Sequence, residues 1–303
     1  MSVRLGINPI GWTNDCMPWL GDFISLDTCL KEAKEAGFSG VELGRKFPRA
    51  PKELAPILKR HDLKLVSGWY SANLLERDAK AEIAAMKPHL TLLKSLGAEV
   101  MVFAETTGEI INQVGAPISR RPKVKSAGEW KRLGSRFTDV AGYMRDEGVQ
   151  MAVHHHMGTV VESQADVDRL LENSGEAVGL LLDTGHMTFA GGDPIAVARK
   201  YASRIKHVHC KDIRRYALAA CKQRDVSFSE AVLCGIFTAP GDGLVDFKSV
   251  FDVLAKAKYS GWLVQEAEQD PRVAHPASYA ALGRAHLAQL CAGAKLKLAA
   301  LHP

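Results

Sequence analysis

Short apolar runs alternate with longer amphipathic stretches along the whole chain, and this alternation limits the possible fold more than any other feature. Strand-like runs fall at Val3–Ile7, Gly40–Leu43, Lys64–Trp69, Val100–Ala104, Gln150–His154, Val178–Asp183, Ile205–Cys210 and Gly261–Glu266. Between them the spacing predicts helices over Leu26–Ala36, Pro51–Lys59, Lys80–Leu96, Trp130–Glu147, Ser163–Asn173, Pro194–Tyr201 and Phe247–Ala257, with a closing helix over Ala277–Leu298. Gly37 and Gly97 stop two of these helices and Pro51 opens a third. Strands that alternate with helices pair in parallel, because parallel neighbours need a crossover between them. Eight such units predict an α/β fold, a closed (β/α)₈ TIM barrel, with residues 1–303 as one domain. An open doubly wound sheet is the rival. It is weakened because no G-x-G-x-x-G follows the first strand. Two stretches break the alternation: a polar segment near 105–128 and a partly helical insertion near 213–237. Long segments of the first kind are often active-site covers.

The chain has 303 residues with 47% hydrophobic content, enough for a large core. The net charge of +5 comes from 39 basic and 34 acidic residues that are scattered, so a nucleic-acid groove is not expected. No apolar stretch approaches the ~20 residues needed to cross a bilayer, so no membrane partner is expected either. The six cysteines form no C-x-x-C pair, and no apolar leader opens the chain. These features predict a cytoplasmic protein with reduced thiols. A homo-oligomer stays open, since exposed barrel helices often support assembly.

In an α/β barrel the site lies at the C-terminal ends of the strands. Ionisable and polar residues collect there: Asn8, Glu42, Trp69, Glu105, His154, His156, Asp183, His186, His209, Lys211, Glu266 and Glu268. Neutral imidazole is a good ligand for divalent transition metals, and mixed nitrogen and oxygen donors suit Mn²⁺, Co²⁺, Fe²⁺ or Zn²⁺. The absence of cysteine at these positions disfavours a structural zinc site. Side chains two apart on a strand share a face, so His154 pairs with His156, His207 with His209, and Glu266 with Glu268. His155 faces the other way and is expected to be structural. His209 lies nearer its strand end than His207 and is the favoured ligand. Asp183 either caps the next helix or acts as a ligand. The cost of burying an unpaired carboxylate favours the ligand. Glu42 either bonds a neighbouring backbone or contacts substrate. Lys211 either forms a surface ion pair with Asp212 or faces substrate beside His209. Trp12, Trp69 and Tyr70 are expected in walls and core.

Several segments together resemble the myo-inosose-2 dehydratase family, within the xylose-isomerase-like superfamily of sugar isomerases and epimerases. They are Gly6–Trp12, Gly40–Gly44, Val66–Tyr70, His154-His155-His156-Met157-Gly158-Thr159, Leu182-Asp183-Thr184-Gly185-His186, His207–Asp212 and Gly261–Pro271, of which His154–Thr159 and Glu266-Ala267-Glu268-Gln269-Asp270-Pro271 are the more specific. The resemblance implies a divalent metal, Mn²⁺ or Co²⁺, at the ends of strands five to eight. By position its ligands are His154, Asp183, His209 and Glu266, with His156 an alternative to His154. It also implies glutathione as a further cofactor, for which the chain has no motif.

The implied substrate is a small cyclic polyol ketone. In inositol catabolism 2-keto-myo-inositol would lose water to give a trihydroxycyclohexane-1,2-dione. Glu266 is the leading base, with Glu268 or Glu42 in reserve. His186 or His156 would supply the acid, and Lys211 would hold a substrate hydroxyl or the enolate charge. Glu42, Trp69, His156 and Glu268 would contact substrate. Many epimerases of the superfamily have glutamate where this chain has His154, and they use two opposed glutamate bases. Its loss here argues against two-base epimerisation. A metal-dependent isomerase or epimerase on the same scaffold, and a non-catalytic polyol-binding protein, are the rival functions.

Overall fold

The computed structural model describes residues 2–299. Its barrel strands are β1 (Val3–Ile7), β2 (Gly40–Leu43), β3 (Lys64–Ala72), β4 (Val100–Glu105), β5 (Gln150–His154), β6 (Val178–Asp183) and β7 (Ile205–Cys210). After the short β8 (Asp212–Ile213) and β9 (Phe237–Thr238) comes the eighth barrel strand, β10 (Gly261–Gln265). The eight close in the order β1-β10-β7-β6-β5-β4-β3-β2, all parallel, as the alternation requires. The helices are α1 (Leu26–Glu35), α2 (Pro51–Arg60), α3 (Ala79–Ser95), α4 (Ala127–Asp146), α5 (Gln164–Glu172), α6 (Thr184–Phe189), α7 (Pro194–Lys200), α8 (Arg215–Arg224), α9 (Phe228–Leu233), α10 (Phe247–Lys256) and α11 (Pro276–Gly293). None is long and apolar enough to cross a membrane among the described residues.

Side-chain caps set where the helices begin. Ser25, Asp78, Ser126, Ser163 and Ser227 each accept a backbone N–H of the first turn, and Ser163 and Ser227 complete capping boxes with Asp166 and Glu230. Several boundaries differ from expectation, three of them in ways that matter for the site or the end of the chain. Strand β3 runs on to Ala72 because Tyr70, Ser71 and Ala72 stay in register with Phe103, Ala104 and Glu105. The stretch after Asp183 is the short helix α6 rather than a turn. The closing helix ends at Gly293, because Lys295 takes a left-handed φ of 58°. The chain beyond it pairs with β1: Val3 N–H donates to the Lys297 carbonyl and Ala299 N–H to the Val3 carbonyl.

The main core fills the space between strands and helices. Inside the barrel the apolar packing is split in two. Val100, Val102, Ala152 and Leu181 form one cluster, and Val66, Trp262 and Val264 the other. On β7, between them, the inward position opposite Leu181 is His207 instead. A further cluster, including Phe228, Ile236 and Phe237, packs the insertion of β8, α8, α9 and β9 against Met157 and Phe189 above the barrel. The segment 106–126 contains only a 3₁₀ turn at Ile118–Arg120. Arg121 ties it to the loop after β5, donating to the Thr159 and Val160 carbonyls and bridging Glu162 at 3.1 Å and Asp166 at 2.6 Å.

Candidate active site

Four successive barrel strands end in a metal-ligand type of side chain. His154 closes β5, Asp183 closes β6, His209 is next to last on β7, and Glu266 follows β10, which stops one residue earlier than expected. The register places Asp183 beside His209. One atom from each of the four lies within 4.8 Å of the others. His154 Nε2 is 3.7 Å from Asp183 Oδ2, His209 Nδ1 is 3.4 Å from the same oxygen, and His209 Nδ1 touches Glu266 Oε2. All four residues are buried. Asp183 Oδ2 has no hydrogen-bond partner in the protein, and His209 Nδ1 and Glu266 Oε2 have none outside the set. Such crowding of buried polar atoms would be costly, and a divalent cation at their centre would satisfy all of them. The two-nitrogen, two-carboxylate set fits Mn²⁺, Co²⁺, Fe²⁺ or Zn²⁺ chemistry.

Local bonds aim these atoms. Asp183 Oδ1 caps α6 by accepting the His186 N–H at 2.7 Å, which leaves Oδ2 turned toward the set. His154 Nδ1 donates to the His155 carbonyl at 3.1 Å, turning Nε2 toward the set. His155 faces away and its Nε2 accepts the Asp183 N–H at 3.3 Å. His156 stands outside the set. Its Nδ1 donates to the Met157 carbonyl at 2.7 Å, and burial pushes the ring down to about 4. It is therefore neutral near pH 7, with Nε2 a bare acceptor.

For two charged residues the structure removes one of the alternatives left open. Lys211 forms no surface pair with Asp212. It is fully buried, with Nζ 3.2 Å from Glu266, 3.5 Å from Glu268, 2.9 Å from His186 Nε2 and 4.4 Å over the Phe237 ring. Burial opposes its charge, but Glu266, Asp183 and Glu268 hold it above the ordinary lysine value. Asp212 is buried too, and accepts the N–H groups of Ile213, Gly241, Gly243 and Val245. Nor does Glu42 bond a neighbouring backbone. Its carboxylate accepts from Asn8, Ser67, His207 and His209. Burial opposes its charge, yet the two imidazoles hold it well below the usual carboxylate range.

An open cavity of about 260 Å³ lies over the set, just below the ~300–1,000 Å³ of typical ligand pockets, which suits one sugar-sized ring. Asn8, Glu42, Trp69, His156, His209, Glu266 and Glu268 line it. Trp69 is 36% exposed and meets His154 and His156 edge-on at 5.4 and 5.3 Å. Glu268 accepts from Asn14 at 3.0 Å, and burial raises its pKa. His186 and Lys211 are set behind the wall. The His186 ring lies 3.9 Å from that of His156, and its Nδ1 accepts the Met157 N–H. Glu105 also turns away, its carboxylate accepting the Leu74 and Thr107 N–H groups.

The profile of the xylose isomerase-like TIM barrel matches residues 30–290. The chain is 50% identical to the rhizopine catabolism protein MocC of Rhizobium meliloti, over 98% of this chain and 91% of that protein. It is 40% identical to the inosose dehydratase of Geobacillus thermodenitrificans, over 95% of this chain and 97% of that one. This chain belongs to the inosose dehydratase family. It is accordingly an enzyme of the lyase class. A solved fusion of a xylose isomerase-like TIM barrel with 4-hydroxyphenylpyruvate dioxygenase matches 98% of this chain and 44% of its own, with TM-score 0.70 and 17% identity, a likeness of fold alone.

In this inosose dehydratase family member the cavity also takes in residues that the sequence did not single out. Asp15, Arg49, Thr106, Glu109 and Asn112 also line it. Asp15 and Arg49 sit in the loops after β1 and β2, and the other three begin the 106–126 segment. A signal for them existed, because every loop that follows a barrel strand faces the site.

Proposed function

We propose that the chain dehydrates 2-keto-myo-inositol to a trihydroxycyclohexane-1,2-dione in inositol catabolism, with a divalent cation at the four-donor set. The observation that carries the cation is the convergence of three buried atoms, Asp183 Oδ2, His209 Nδ1 and Glu266 Oε2, that have no partner outside the set. The relatives named inosose dehydratase support the substrate. Mn²⁺ or Co²⁺ held by His154, Asp183, His209 and Glu266 would supply a Lewis acid for charge developing on the substrate's carbonyl oxygen.

The remaining chemistry belongs to the side chains. Glu268 is the best-placed base for the α proton: it lines the cavity and burial raises its pKa. Glu266, the expected base, is a weaker one. Burial opposes its charge, but His209 and Lys211 hold it below the usual carboxylate range. Glu42 already accepts from four side chains. The proton taken by Glu268 is returned to the departing β-hydroxyl, which leaves as water, and the enol product tautomerises to the dione. His156 accepts a hydrogen bond from a substrate hydroxyl through Nε2 and orients the ring. Lys211 and Asn14 keep the Glu268 carboxylate in place. Trp69 packs against the ring's carbon face.

The test is purified protein mixed with 2-keto-inositol and Mn²⁺ or Co²⁺, with and without glutathione, followed by ultraviolet absorbance and mass spectrometry. Loss of one water is the expected result. A change of ligand without a change of mass would favour an isomerase, and thermal stabilisation without turnover would favour a binding protein. The relative at 50% identity is named for rhizopine catabolism, so rhizopine is the second substrate to run. No loss of water from either compound under any condition overturns the proposal.

A further inference from the structure

A carboxylate inside a barrel is costly unless every lone pair finds a donor. Glu42, only 2% exposed, meets this condition. Asn8 Nδ2 donates to it at 2.7 Å, Ser67 Oγ at 2.5 Å, His207 Nε2 at 2.8 Å and His209 Nε2 at 3.2 Å. An ionised carboxylate has about four acceptor sites, so these donors saturate it. Glu42, His207 and His209 stand close enough to hold a cation of their own. Such an ion would need both Nε2 lone pairs, which the hydrogen bonds to Glu42 already use as N–H donors. The group is a hydrogen-bonded anion, not a second metal site.

Its effect falls on His209. With Nε2–H committed to Glu42, only Nδ1 is left to face Asp183 and Glu266. His154 follows the same logic with the nitrogens exchanged, since its Nδ1–H is held by the His155 carbonyl and its Nε2 faces the set. We propose that Glu42 is a positioning residue that fixes the Nε2–H tautomer and ring orientation of His209, presenting Nδ1 as a ligand to the divalent cation. This rests on the cation site proposed above. Asn8 and Ser67 stop the carboxylate from turning, and His207 supplies a second N–H from the same strand. Partners of this kind on the far nitrogen typically change metal affinity by about 10–100-fold when removed.

The experiment uses the full chain and two probes. Co²⁺ binding is measured by chelator competition for wild type and Glu42→Gln, which keeps the size of the side chain but turns an NH₂ group toward one of the donors. Histidine ¹H–¹⁵N correlations are recorded on Zn²⁺-loaded wild type. The expected results are a Co²⁺ affinity about 10–100-fold weaker in Glu42→Gln, and His209 protonated at Nε2 with Nδ1 on the metal. An unchanged Co²⁺ affinity in Glu42→Gln overturns the inference while leaving the cation site standing. So does a His209 protonated at Nδ1 in the wild type, a result that does not depend on the variant folding. Wild type that takes up neither ion overturns both proposals.

Discussion

Lys211 carries its charge where water does not reach, between Glu266 and Glu268 and over the face of Phe237. Replacing it with methionine would leave two buried carboxylates without their cation. Lys211→Met should therefore destabilise the protein by ~3–5 kcal/mol in urea unfolding and abolish dehydration. A loss no larger than for an exposed lysine, such as Lys248→Met, would refute this. The sequence could mark Lys211 as a strand-end residue of the same parity as His209. It could not reveal the partners. They come from after β10 and from α6, and a parallel barrel brings such distant segments together only when it closes. Glu42 and His207 were hidden in the same way: they are far apart in the chain and bonded across the barrel interior.

The strands were legible almost to the residue because each is an apolar run, most of them bounded by glycine or polar residues. The misses have local causes. The end of β3 reads as polar because Ser71 lies on it, α6 is too short to establish a helical period, and β8 and β9 are only two residues each. The closing helix was overextended because Leu296 and Leu298 continue its apolar pattern past the backbone break at Lys295. At this scale Glu105 offers a test. It joins the end of β4 to the loop after β3 through the Leu74 N–H and to the 106–126 segment through the Thr107 N–H. Burial pushes its carboxyl from 4.5 up to about 7, against the pull of those donors. Between these values the unfolded chain has released the proton and the folded chain still holds it. The stability contributed by this group is thus fully present below the lower value and is lost as pH rises through the higher one. Melting temperature should fall more steeply between about pH 5 and pH 8 in wild type than in Glu105→Gln. Parallel curves would mean that Glu105 is ionised throughout.

For the whole molecule, a cation at the proposed site would be linked to the fold. Its four donors come from β5, β6, β7 and the end of β10, so an ion bound there ties consecutive strands of the barrel together. A ligand that binds only the folded state stabilises it by RT ln(1 + [L]/Kd), about 2.7 kcal/mol at a hundredfold excess over Kd. Chelation should lower the melting temperature, and Mn²⁺ or Co²⁺ should restore it by differential scanning fluorimetry. Equal melting with chelator and with saturating ion would sink the linkage. Much of the cavity lining, by contrast, is supplied by Asp15, Arg49, Trp69, Thr106, Glu109 and Asn112, all upstream of His154. The four proposed cation ligands and Glu268 all lie at or after position 154. A lineage of such proteins can vary the upstream part of the lining through its N-terminal loops without touching any of the four proposed ligands.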